Sequence, residues 1–171
     1  MENLQALRKW SELRGIAVVA LSGGKKIGSC DDFYFEPQTR SIYALQIKTG
    51  LLSHKVVSAA SINTVGQDAI TIPNEEVLRD ELDDARRATL LSAEGLRNYR
   101  VMSASGTLVG TLGNVLLDTS TPAALRVAAF EMSGGLRERL SGKYSTFDAS
   151  QVLNFGQDVL VIPDEVAQSL S

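Results

Sequence analysis

Short runs of alternating apolar and polar residues, broken by glycine and proline, run through most of the chain and predict strands rather than long helices. Ile16 to Leu21 is rich in valine and ends at Ser22-Gly23-Gly24-Lys25, the signature of a strand entering a tight hairpin. Lys26 to Phe35 follows, with Ile27, Phe33 and Phe35 on one parity and Cys30 and Tyr34 on the other. That pattern predicts burial on both sides or a bulge near Gly28. Glu36 to Arg40 carries a proline suited to a turn, after which Tyr43, Leu45 and Ile47 alternate with Ala44 and Gln46, a strand with one buried face. Ile62 to Val65, Gly66-Gln67-Asp68 and Ala69 to Ile72 make a closing hairpin. The run from Leu4 to Trp10 fits either a helical turn through Leu4 and Leu7 or a first strand over Leu7 to Trp10.

The second half repeats the first. Displaced by 82 positions, Val19 meets Val101, Gly24 meets Gly106, Ile27 meets Val109 and Gly28 meets Gly110. Displaced by 90, Gly66-Gln67-Asp68 meets Gly156-Gln157-Asp158, and Ile72-Pro73 meets Ile162-Pro163. The change of displacement places about eight extra residues in the second copy, within 133–145. A period this long marks a duplicated domain rather than a solenoid. The predicted architecture is mainly all-β: two tandem small barrels, residues 1–74 and 89–171, packed as an internal pseudo-dimer.

Between them, residues 75–88 predict a mostly exposed helical connector. Asn74 supplies a cap, Glu75 with Arg79 and Asp83 with Arg87 stand four apart, and Val77, Leu78 and Leu82 offer a narrow apolar stripe. The C-terminal DEVAQSL repeats the start of that helix.

Composition narrows the function classes. The 171 residues are 44% hydrophobic and 22% charged, as in an ordinary globular protein. A net charge of −3, spread evenly over both halves, argues against direct nucleic-acid binding, which runs on clustered cations. Cys30 is the only cysteine, so no intrachain disulfide forms and a reducing, cytoplasmic setting is expected. Neither a secretory leader nor an apolar run of membrane-spanning length is present, so no membrane insertion is expected.

Candidate chemistry is sparse. Gly23-Gly24-Lys25-Lys26 lacks the spacing of a phosphate loop. His54 is the sole histidine, which removes a multi-histidine metal site. Asp31 and Asp32 are too few ligands for a hard cation, and one of them is expected to support a turn or bulge. Asp68 and Asp158 are read as turn-fixing residues. No catalytic, cofactor-binding or metal-binding residue is assigned. The candidate partner-binding segment is the 133–145 insertion, where Leu136, Arg137, Arg139, Lys143 and Tyr144, together with Leu140, mix apolar and cationic groups suited to a protein partner. A flexible loop without a site is the alternative.

The first copy resembles the PRC-barrel family. The residues that carry the resemblance are Glu12-Leu13-Arg14-Gly15, Gly24-Lys25-Lys26-Ile27-Gly28, Asp32 before an aromatic strand, Glu36-Pro37, and Ile62 with Gly66-Gln67-Asp68-Ala69-Ile70. The second copy keeps Gly106, Val109-Gly110, Asp118, Val152 and Gly156-Gln157-Asp158, but has Asn114 in place of Asp32 and Thr119 in place of Pro37. The resemblance implies a non-catalytic module needing no cofactor. Its known settings include the cytoplasmic domain of the photosynthetic reaction-centre H subunit and the C-terminal domain of a ribosome maturation factor, which binds a small-subunit ribosomal protein. Neither the membrane helix of the one nor the RNA-processing domain of the other is expected from this sequence.

The expected function is therefore a protein-binding or scaffold module with a protein partner of unknown identity. An accessory role in photosynthetic-complex or ribosome assembly is the first alternative, and an enzyme with a site between the barrels is the second. Fold analogy alone does not choose among them.

Overall fold

The computed structural model describes residues 7–170; Leu4, part of the ambiguous first segment, lies outside them. In the first half, β1 (Leu7–Lys9) runs into the single helical turn α1 (Trp10–Leu13), so the strand reading holds for Leu7–Lys9 and the helical turn comes after it rather than through Leu7. Then come β2 (Ala17–Ala20), β3 (Lys25–Phe35), β4 (Ile42–Lys48), β5 (His54–Ser58), β6 (Thr64–Val65), β7 (Ala69–Ile72) and β8 (Leu78–Arg79). After α2 (Asp84–Arg87), the second half comprises β9 (Leu91–Ser92), β10 (Arg100–Ser103), β11 (Leu108–Asp118), β12 (Arg126–Met132), α3 (Leu136–Ser141), β13 (Thr146–Asp148), β14 (Asn154–Phe155), β15 (Val159–Ile162) and α4 (Asp164–Ser169). The chain is mainly β, as its alternation predicts. One sheet runs β6-β7-β2-β3-β4-β5-β8 and the other β13-β12-β11-β10-β15-β14.

Local chemistry explains the hairpins. The β2–β3 turn places Gly23 and Gly24 at φ +85° and +61°, a region that side chains with a Cβ avoid. At Gly28 a Cβ would lie 2.1 Å from the Lys48 carbonyl oxygen, so the strands cross there only because the side chain is a hydrogen.

The strand pairings of the two halves correspond, with a register that differs from the sequence alignment by one residue. Val18 pairs with Gly28 and with Ile70, while Val101 pairs with Gly110 and with Leu160. Val18, not Val19, is therefore the counterpart of Val101, and both are fully buried. Both copies carry the same bulge, after Val18 and after Val101, so the offset arises in the hairpin turn, which holds one residue more between Val19 and Lys26 than between Met102 and Leu108.

The halves exchange strands. β1 pairs with β11 of the second half, Leu7 opposite Asp118, and β9 pairs with β3 of the first, Leu91 opposite Phe35. Where β4 and β12 begin, Ser41 and Arg126 form an antiparallel bridge. Around it the Ile42 N–H donates to the Leu125 carbonyl and the Val127 N–H to the Arg40 carbonyl, both at 2.9 Å.

Two tandem barrels packed as a pseudo-dimer imply two separate interiors, whereas the structure has one. Neither sheet closes on itself among the described residues, since β6 and β8 end one and β13 and β14 end the other. One continuous core runs from Val18, Phe33, Phe35 and Ile72 to Val101, Val127, Phe130 and Leu160. Phe155 joins its two parts, with its ring 5.9 Å from Phe35 and 6.0 Å from Phe130. Halves of about 80 residues bury too little surface to be robust alone, and sharing one interior answers that shortage.

The predicted helicity of residues 75–88 appears as two separate turns, Glu75–Val77 and α2, rather than one helix. Between them β8 hydrogen-bonds to the open edge of β5, satisfying backbone groups that a continuous helix would leave unpaired on that edge. The segment is mostly exposed, as expected, with only Leu82 buried and Val77 and Leu78 partly so. Leu82 and Leu90 pack with Ala44 and Val56, beside Tyr34 and Tyr43, in a second, smaller cluster. Tyr43 belongs to this outer layer and not to the Leu45–Ile47 face, because a bulge at Tyr34/Phe35 skips it. The Arg86 guanidinium lies 4.8 Å from the centre of its ring.

Candidate interaction site

The 133–145 insertion folds into a short helix. The Gly135 N–H donates to the Glu138 carboxylate at 2.9 Å, tying off the start of α3. Gly142, at φ +70°, ends the helix by donating to the Glu138 carbonyl at 2.8 Å. Gly134 lies so close beneath Glu138 and Tyr144 that a Cβ would come within 2.3 Å of the Glu138 Cβ.

The side chains predicted for partner binding divide into two groups. Leu136 and Leu140, one turn apart, face solvent with 72% and 80% of their surface exposed. Arg137, Arg139 and Lys143 are exposed around them. Tyr144 instead turns back to the body, half-buried, with the Lys9 ammonium 5.8 Å from its ring centre. Lys9 also pairs with Glu131 at 3.3 Å, so the N-terminal strand of the first half anchors the base of the second half's insertion. Arg139 reaches over a shallow cavity of about 410 Å³ between them.

The equivalent connection of the first half, between β4 and β5, is a tight loop closed by the Thr49 N–H donating to the Ser53 carbonyl at 2.9 Å. It holds Leu51 and Leu52 at 92% and 96% exposure, with Lys48, His54 and Lys55 beside them. Both copies thus present a pair of exposed leucines at the same point of the fold, with Lys48 beside the first pair and Arg137, Arg139 and Lys143 beside the second. The sequence reading missed this tip, although two leucines between Gly50 and Ser53, where no strand pattern claims them, were a usable signal.

The titratable groups do not gather into one site. Burial pushes the Cys30 thiol up to about 12, aided by the charges of Asp32 and Asp31, so it is a core residue as expected. Asp32 stands beside the β3 bulge between Cys30 and Asp32, the supporting place foreseen for one of the two aspartates. Burial raises its carboxyl against the pull of donors from Phe33, Glu94 and Ala93. Asp31 pairs with His54 at 3.3 Å and accepts from Gln46 at 3.2 Å. Where the halves meet, a cavity of about 190 Å³ is lined by Trp10, Arg14, Asp31, Glu94 and Arg97, but Arg97 is paired with Glu94 at 3.3 Å. Trp10 packs edge-on to Phe33, 5.0 Å between ring centres. Among the described residues no three His, Cys, Asp or Glu side chains are placed to share a metal ion, and no helix is long and apolar enough to cross a membrane.

The Gly66-Gln67-Asp68 and Gly156-Gln157-Asp158 turns are fixed by their backbones. Gly66 donates to Ala69 and Gly156 to Val159, both at 2.8 Å.

No curated protein matches the chain. PRC-barrel domains are protein-interaction and assembly modules, generally non-enzymatic, and residues 7–79 of this chain, from β1 through β8, match the model of the PRC-barrel domain.

Proposed function

We propose that this protein is a non-catalytic protein-binding module, an adaptor or assembly factor, in which residues 1–74 and 89–171 act as two PRC-barrel-like domains fused as an internal pseudo-dimer. α3 is its docking element. The observation that carries the reading is the exposure of Leu136 and Leu140 on one face of a helix capped at both ends. A fixed apolar face ringed by Arg137, Arg139 and Lys143 is the composition of an interface, with apolar centre and cationic rim. Rim cations favour a partner whose matching surface is acidic. The PRC-barrel match over the first half supports the same class of role, and the photosynthetic and ribosomal settings are two places where such a role is exercised.

The test is quantitative comparison of proteins cross-linked to the wild type and to a Leu136→Ser/Leu140→Ser variant in the native cell. A partner enriched with the wild type and lost with the variant supports the reading. Identical profiles for the two proteins would sink it.

A further inference from the structure

Besides the 133–145 insertion, the duplication departs from symmetry at the connection between its third and fourth strands, and there the first half is open. The β11–β12 connection carries a 3₁₀ turn, Pro122–Ala124, that packs on the turn at Ala59–Ser61 of the first half. Beneath it, Leu13, Ile42, Val65, Ile70 and Leu125 leave a void of only about 10 Å³. The counterpart β3–β4 connection, Glu36 to Ser41, is one residue shorter and has no such turn. Its end at Arg40 and Ser41 is bonded to the second half, but Glu36, Pro37 and Gln38 stand across a cleft of about 770 Å³ whose far wall is Val152, Leu153, Asn154 and Phe155.

Both walls are held in place. On one side Glu36 donates its N–H to the Ser41 carbonyl at 2.9 Å and Arg40 donates to the Glu36 carbonyl at 2.7 Å, while the Glu36 carboxylate is occupied by Arg86 at 2.9 Å. The Arg40 guanidinium reaches only the Gln38 carbonyl, at 3.3 Å, and has no carboxylate partner among the described residues. On the other side β14 is the last strand of its sheet among those residues, so one side of its backbone lacks a ladder partner. Leu153 beside it is 61% exposed.

We infer that this cleft receives an extended peptide segment of a partner protein, laid along the β14 edge, with a carboxylate against Arg40 and an apolar side chain over Leu153 and Val152. An open strand edge supplies backbone affinity, and flanking pockets supply side-chain choice. The unpaired cation fixes the sign of the charge, and the Leu153 surface fixes the apolar neighbour. This site is separate from α3 and stands whether or not α3 binds anything.

The probe is a random peptide library displayed on phage, selected on the intact protein, with hits titrated by fluorescence anisotropy. Selected peptides should place Asp or Glu near an apolar residue. They should lose roughly tenfold or more in affinity on Arg40→Gln, as for a charge-assisted hydrogen bond, and lose binding on Leu153→Ser. They should bind Leu136→Ser/Leu140→Ser as tightly as wild type, and perturb the backbone amide signals of Thr89, Leu153, Asn154 and Phe155. Failure to select any peptide, or peptides that bind the Arg40 and Leu153 variants like wild type, would overturn the inference. So would amide perturbations confined to α3.

Discussion

Asp32 and Asn114 occupy equivalent bulges, and each reaches across to hold the other half. The Asp32 Oδ1 accepts the Phe33 N–H at 2.8 Å and the Glu94 N–H at 3.2 Å. The Asn114 Oδ1 accepts the Val115 N–H at 2.9 Å and the Ser11 N–H at 3.3 Å. One position serves with a charged acceptor and the other with a neutral one. The difference that weakens the sequence match in the second half therefore preserves the contact.

That comparison predicts the behaviour of Asp32→Asn. The Asp32 carboxyl is raised chiefly by burial, so the native state holds its proton at higher pH than the unfolded chain does. Its contribution therefore lowers stability as pH rises from the ordinary aspartate range through the raised native value, and the penalty is complete above that. Asp32→Asn keeps the acceptor and removes this dependence. Urea midpoints should match or exceed wild type at neutral pH, and the difference should shrink on acidification. Asp32→Ala, which strands two N–H donors, should cost about 1–3 kcal/mol. Equal losses in both variants would contradict the assignment.

Gly28→Ala tests the strand crossing. With its Cβ 2.1 Å from the Lys48 carbonyl, the backbone must move, and urea denaturation should show a loss of about 1–3 kcal/mol or more. Gly66→Ala, whose nearest contact is 3.0 Å from the Ala69 carbonyl, should cost less.

Cys30 should resist thiol reagents in the native protein. Its thiol is 2% exposed and pushed up to about 12, so modification followed by absorbance should proceed only as fast as the protein opens, and at once in denaturant. Rapid labelling under native conditions would show that the β3 core is open.

The exposed leucines separate binding from folding. Leu136→Ser and Leu140→Ser should each change stability by no more than about 0.5 kcal/mol. Leu160→Ala, at a fully buried site, should cost about 2–5 kcal/mol. Comparable losses at the two kinds of site would mean that α3 is part of the core.

What was legible in the sequence follows its physics. The β2–β3 hairpin and the β7 and β15 strands were readable because alternation and glycine turns are local signals. The exchange of β1 and β9 was not, because strands of three and two residues carry no period and their partners lie in the other half. The single-residue error at Val18 came from the hairpin turn, which holds one residue more in the first half than in the second, a difference that matching Gly24 to Gly106 conceals. In the candidate site, Leu136 and the cations were found by composition, whereas the helix under them was signalled only by Gly135 with Glu138 and by Gly142. The cleft beside β14 could not be foreseen, since it arises from how far two loops of similar length stand from what they face.

Strand exchange makes the two halves one cooperative unit, and native-state hydrogen exchange tests that most directly. Amides of β2 and β3 and those of β10 and β11 should share one opening free energy and the same urea dependence, because the shared core opens as a whole. Two distinct plateaus, one for each half, would contradict it.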